Sequence, residues 1–449
     1  MPLAGELAAF AVDVEVPEAA RERARAAWID TIGVILAGSV EPAARLVQAL
    51  VRADGGLPRC HLLGGDLLTS PGLAALANGT AAHALDFDDM CFVSLAHPSA
   101  PLVPAAIAAG EIAAASGRAL LDAYVVGFEI EAVLGRAMHP SHYARGWHAT
   151  STLGTIGAAA AAARLLGLDR AGAACALAIA ASSACGLKEN FGTMVKPLHA
   201  GMAARDGIMA ALLARDGFTA SPLALDGPQG FIAALSNARR DGTSVRDLGR
   251  RWDIVESGIT MKLYPSCAAT HPALDAILDL RREHGLAARD VVAVAVMVDA
   301  VTPSVLLYAD PQSGLEAKFS MPFCAAFAIV HGDVGIDAFD DAGLHDEGVR
   351  RLATRVSMIV DPEVGIGAPA LTQARVALTL ADGRVLRAAA DGARGYPDRP
   401  ATADAARDKF ISCARRTLTP AAAATAYERV CNLPALIDAR DLAAWVSGR

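Results

Sequence analysis

The chain opens on helical periodicity. After Pro17 the run EAARERARAAWIDTIGVILAG places apolar residues three to four positions apart and ends on glycine, which predicts an amphipathic helix with a defined start and stop. Similar units recur at 72–83, 101–116, 119–137, 150–167, 171–185, 200–217 and 244–250, so residues 1–255 read almost entirely as helices joined by short connections. Many of their apolar positions are alanine or glycine, as in GTIGAAAAAARLLG (154–167), and small side chains let helix axes approach closely. No fixed-period repeat is present, which argues against a solenoid.

The pattern changes after Lys262. RDVVAVAVMVDA (289–300) and TRVSMIVD (354–361) are β-branched runs of strand length, and ARVALTLADGRVLRAA (374–389) reads as two strands around an Asp382-Gly383 turn. Helical patterns at 271–284 and 321–331 lie among them, and from 402 the helical texture returns to the end of the chain. The expected fold is therefore a mostly α two-domain protein. A large helical domain, 1–258 rejoined by 400–449, carries an inserted, smaller α+β lid domain at 259–399 with a small antiparallel sheet. A ligand would sit in the cleft between the two.

Composition narrows the function classes. The chain has 449 residues, 53% hydrophobic but only 5% aromatic, so its cores must be built from Ala, Leu, Val and Ile. A net charge of −8 without any basic block excludes a nucleic-acid binder. No apolar run reaches the ~18–20 uninterrupted residues of a membrane span, and the N-terminus lacks the cationic and apolar regions of a signal peptide. A cytoplasmic protein with no membrane partner is expected. None of the eight cysteines has C-x-x-C spacing, and buried free thiols are the economical reading.

Four separate segments carry the candidate chemistry: LDFDDMCFVSLAHPSAP (85–101), HYARGWHATSTLGTIG (142–157), NFGTMVKPLHAGMAARDG (190–207) and KLYPSCAATH (262–271). Together they bring Asp86, Asp88, Asp89, His97, His148, Lys196, His199, Lys262 and His271 beside glycines, prolines or small residues. If they converge, several acids and bases meet two ammonium groups, which suits proton transfer on a small anion. The three carboxylates of DFDD could bind a metal, orient a base or be solvated, but no EF-hand or H-E-x-x-H spacing follows, so no metal is expected. Asp86, a short loop before His97, can set an imidazole tautomer. His148 precedes Thr150 and Ser151 at a helix start. That hydroxyl cluster is ordinary capping, or an anion cradle holding a carboxylate beside an acid/base. Lys196, close to His199, reads better as a fixed cation than as a Schiff-base amine, since no phosphate-binding loop accompanies it. The histidines at 61, 83, 139, 142, 284, 331 and 345 read as surface or packing residues.

These motifs, with DP-x-S-G-LEAKFSMP (310–322), resemble the MmgE/PrpD family through nearly the whole chain, in order. That family contains 2-methylcitrate dehydratases, cis-aconitate decarboxylases and iminodisuccinate epimerases. The resemblance implies a helical domain with an α+β lid, a homodimer, no cofactor and a small di- or tricarboxylate substrate. It implies catalytic roles for Asp86, His97, His148, Lys196, His271 and Tyr308; the segments' own chemistry makes Lys262, Thr150, Ser151 and His199 the expected substrate contacts. Relatives commonly carry Thr or Ser after DFDD, where this chain has Met90. Dehydration of the 2-methylcitrate type is the reaction expected first, with epimerisation and cis-aconitate-type decarboxylation as alternatives. A metabolite-binding protein without turnover is the reading from outside the enzyme class.

Overall fold

The computed structural model describes every residue except 239–242, 366–371 and 448–449. The protein is mostly helical, and its buried apolar residues fall into two main cores. One core joins helices from Leu3 through Ile254 with the C-terminal residues Phe410 to Val446. The other lies within 264–390.

In the first core, helices Pro71–His83, Ser99–Ala113, Gly117–Met138, Ala149–Leu165 and Val195–Arg215 pack on one another. Their spacing depends on glycine. A Cβ on Gly79 would stand 2.8 Å from the Cα of Gly201, and one on Gly127 would stand 2.7 Å from the carbonyl oxygen of Gly157. Backbone thus packs on backbone, so the ends of the Pro71–His83, Ala149–Leu165 and Val195–Arg215 helices meet in a small volume. Those ends carry the DFDD loop, His148 and Lys196. Helix Ala403–Ala414 packs on helix Glu18–Gly38 and inserts Lys409, whose Nζ meets Asp30 at 2.7 Å and donates to the Phe87 carbonyl at 2.7 Å. A residue near the C-terminus therefore anchors the loop between Asp86 and Asp88.

The second core packs helices His271–His284 and Met321–His331 against a sheet of β3 (Val291–Val298), β4 (Val356–Val360), β5 (Ala374–Leu380) and β6 (Val385–Ala390), while β1 (Cys60–His61) and β2 (Leu68–Thr69) form a separate short ribbon. The strand order is β4-β3-β5-β6. The expected antiparallel sheet is in fact mixed, since β4 lies parallel to β3 with Val294 opposite Val356. The reason is the connection between them. Helix Met321–His331 and its flanking turns return the chain to the same end of the sheet, as a parallel pair requires. The β5–β6 hairpin closes at Gly383 with φ of 88°, a left-handed geometry that glycine adopts without strain. Among the described residues no single helix is long and apolar enough to cross a membrane. All eight cysteines are free.

Candidate active site

A cavity of about 650 Å³ lies against both cores. From the first half of the chain its wall takes Asp86, Met90, His97, Arg136, His148 and Lys196; from the second half it takes Cys267, Ala268, Asp299, Val305, Phe319 and Thr372. Asp86, His97, His148 and Lys196, four of the residues singled out in the sequence, are thus brought to one surface.

The three aspartates of DFDD have three different fates. Asp86 turns into the site from a left-handed backbone (φ 51°), an uncommon conformation for a non-glycine residue that is often stored at functional positions. Its Oδ1 accepts from Lys196 Nζ at 2.5 Å and its Oδ2 lies 3.2 Å from Lys262 Nζ, which also donates to the Asp86 carbonyl at 2.9 Å. Burial opposes ionisation of Asp86, but Lys196 and Lys262, then His97 and His83, outweigh it and hold its carboxyl well below the usual range. Asp88 accepts from His83 Nδ1 at 2.8 Å and faces His97 Nδ1 at 3.3 Å. Burial again opposes ionisation, and the two imidazoles again win. Asp89 points away from the cavity to the hydroxyl of Ser99, itself 2.6 Å from the hydroxyl of Tyr124. Burial raises the Asp89 carboxyl to about 8, so it is a structural acid.

The histidines form a chain of rings. With His97 Nδ1 held toward Asp88, its Nε2 is turned to the Asp86 side, 3.8 Å from Oδ1. His83 is fully buried, with its ring 4.6 Å from that of His97 and 5.8 Å from that of His148. His148 is the residue before helix Ala149–Leu165 and its N–H donates to the Gly186 carbonyl. Its Nδ1 meets His199 Nδ1 at 3.1 Å, so one of these nitrogens carries the proton and the other accepts it. His148 Nε2 has no protein partner. Burial, and then the charge of Lys196, keep His148 well below the ordinary imidazole value. Burial likewise lowers His83 and His199 to about 4. The resting cluster therefore consists of neutral imidazoles, a carboxylate pair and ammoniums.

Other expected site residues stand behind the wall. Thr150 Oγ1 accepts from the His97 N–H at 3.0 Å, and Ser151 Oγ donates to the His199 carbonyl at 3.2 Å. Lys262 is fully buried under Asp86, and His199 backs His148. These four brace the polar groups rather than line the cavity. His271 and Tyr308, expected to face the cleft, are also displaced from it. His271 is fully buried, with Nε2 at 3.1 Å from the Ser266 carbonyl and its ring against Tyr264. The Tyr308 hydroxyl donates to the Phe191 carbonyl at 2.8 Å, fixing the loop that supplies Phe191 to the cavity.

Four further residues contribute that no sequence pattern singled out. His83 was assigned to packing, although its five-residue spacing from Asp88 at a helix end could have flagged the pair. His139 and Arg136 line the cavity, the latter paired with Asp253 at 2.5 Å. Lys318 is buried near Asp86, donates to the Pro265 carbonyl at 2.9 Å and is lowered by burial to about 8. As for a metal, His83, Asp86, Asp88 and His97 offer donor atoms within 4.8 Å of one another. Yet Asp86 already faces two ammoniums, and a divalent cation there would meet both positive charges. This donor set fits acid/base work better than metal binding.

Comparison with known proteins agrees over nearly the whole chain. Residues 5–242 match the MmgE/PrpD N-terminal domain and residues 264–433 the MmgE/PrpD C-terminal domain. The chain is 30% identical to the cis-aconitate decarboxylase of Mus musculus over 369 residues, covering 79% of this chain and 74% of that protein. It is 28% identical to the Homo sapiens cis-aconitate decarboxylase over 397 residues, covering 85% and 81%. A cis-aconitate decarboxylase-like protein of Aspergillus oryzae is 27% identical over 460 residues, covering 97% and 94%.

Proposed function

The chain belongs to the MmgE/PrpD family, and from that premise we propose that it is a cofactor-independent lyase that removes CO₂ from a small unsaturated polycarboxylic acid. The observation that carries this reading is the Asp86–Lys196 pair with His97 and His148 on the wall of a mostly apolar cavity. The decarboxylase names of the relatives favour loss of CO₂ over the dehydration expected first from sequence.

The chemistry follows from charge. As the C–CO₂ bond breaks, its electron pair moves into the adjacent C=C and onto the carboxylate conjugated with it. Lys196, held by Asp86 over the faces of Phe191 and Phe319, is a fixed cation for that charge. The apolar wall disfavours the compact charge of the departing carboxylate more than the spread charge that replaces it. A proton must then reach carbon. His148 is neutral at rest partly because of Lys196, and a bound polyanion offsets that repulsion, so the imidazolium can form in the complex and donate. Carbon gains the proton, CO₂ leaves and neutral His148 remains. Within this reading the 259–399 unit acts as a lid over the polar groups of the helical part.

The test is turnover of cis-aconitate, 2-methylcitrate and iminodisuccinate in D₂O, followed by NMR with and without a chelator. CO₂ release with one deuterium placed on product carbon, unaffected by the chelator, is the expected result. Loss of water from 2-methylcitrate without CO₂ would assign dehydration instead, and deuterium exchange with no net loss would assign epimerisation.

A further inference from the structure

The cavity is larger and more apolar than a compact tricarboxylate requires. Cis-aconitate has twelve heavy atoms. At about 30 Å³ each, the share of a water molecule in the liquid, they fill at most about 360 Å³. The cavity holds about 650 Å³. Asp86, Lys196, His97 and His148 cluster on its wall, while Met90, Phe92, Leu95, Val301, Val305 and Phe319 supply apolar wall. Met90 is fixed there by backbone hydrogen bonds in both directions with Thr260, and its thioether is an adaptable apolar filler.

Charge leads to the same place. Among the described residues the cavity wall carries two permanent cations, Lys196 and Arg136, and each already has a carboxylate at 2.5 Å. The wall also carries Asp299, whose oxygens are held by the N–H groups of Val301 and Thr302 and by the Thr302 hydroxyl. Around Asp86, Lys196, Lys262 and Lys318 stand against Asp86 and Asp88, leaving one positive charge in excess. A trianion would bring three charges against that single excess, and buried carboxylates need partners.

We infer that the substrate of this site is an unsaturated dicarboxylate bearing an alkyl substituent, with the alkyl chain lying along the Met90–Val305–Phe319 wall. The inference rests on the lyase reading only for the unsaturation; the alkyl group is argued from the cavity alone. Each methylene buried on that wall contributes about a fourfold gain in affinity.

The test separates binding from turnover. Binding of unreactive 2-ethyl-, 2-butyl- and 2-hexylsuccinate and of tricarballylate is measured by calorimetry. Affinity should rise from ethyl to hexyl by on the order of 100-fold, at about fourfold per methylene, with tricarballylate weaker than the hexyl compound. Val301→Asp, at a residue that is 61% exposed and so tolerant of a charge, should remove at least tenfold of the chain-length gain while leaving succinate binding within twofold. CO₂ release from alkyl-substituted unsaturated dicarboxylates is then compared with release from cis-aconitate. A flat chain-length series, or tightest binding by tricarballylate, overturns the inference even if cis-aconitate is decarboxylated. A rising series without CO₂ release from any acid leaves the alkyl-binding wall in place and refutes only the lyase reading.

Discussion

Replacing Asp86 by asparagine tests the electrostatic design of the site at its centre. Asparagine keeps the side-chain size and tolerates the left-handed backbone at this position, so the change removes charge with little strain. It leaves Lys196 and Lys262, 4% and 0% exposed, without their shared carboxylate. At an effective dielectric of about 20, ion pairs at 2.5 and 3.2 Å are worth about 7 and 5 kcal/mol before desolvation. Desolvation of Asp86 offsets much of that, and breaking a buried pair of this kind typically destabilises by about 3–5 kcal/mol. Urea unfolding of Asp86→Asn should therefore show a loss in that range. The freed ammoniums should also bind an added anion. Succinate at about 100 times its Kd restores about 2.7 kcal/mol by mass action. Because no internal carboxylate competes, that concentration of succinate should stabilise the variant more than it stabilises the wild type. Stability within about 1 kcal/mol of wild type, or an equal response of the two proteins to succinate, would refute the view of Asp86 as counterion to both lysines.

Three further outcomes follow from the imidazole cluster. His148→Gln should reduce turnover by ~10²–10⁴ while a competitive dicarboxylate still binds; activity within a few-fold of wild type would move the proton to His97. In pH profiles, kcat/KM should fall with rising pH on a limb set by loss of the His148 proton in the free enzyme, and that limb should lie below 6.5 because burial, and then Lys196, depress His148; a limb at or above 6.5 would contradict neutral buried imidazoles. Stability should show the opposite sign. His83 binds its proton at about 4 in the folded protein but near 6.5 when unfolded, so its contribution is complete above 6.5 and lost as pH falls toward 4, by ~3 kcal/mol. Urea midpoints measured from pH 7.5 to 4.5 check this, and a flat profile would count against it.

How much of this was legible without coordinates depends on the range of the interactions. Periodicity located the helices to within a few residues, as at Pro71–His83 and Ala149–Leu165, because burying one face of a helix is a local demand on sequence. The strand runs and the Asp382-Gly383 hairpin were visible for the same reason. Chemical punctuation, an ionisable group beside glycine or proline, picked out Asp86, His97, His148 and Lys196 before anything placed them together.

Tertiary structure decided the rest, because it depends on partners far apart in the chain. Which of three adjacent aspartates enters the cavity follows from where Lys196, His83 and Ser99 lie. No local pattern distinguishes Asp86 from Asp89. His83 looked like a packing residue on an apolar helix and proves to be the partner of Asp88, while His271 and Tyr308 looked like site residues and turn to the carbonyls of Ser266 and Phe191. Lys409 anchors a loop 322 residues away. The parallel pairing of β3 with β4 was set by the path of the intervening helices, not by either strand. The apolar wall of the cavity is likewise a property of no segment. It arises from valines, phenylalanines and one methionine, each unremarkable in its own stretch of chain, and only packing brings them face to face with Lys196.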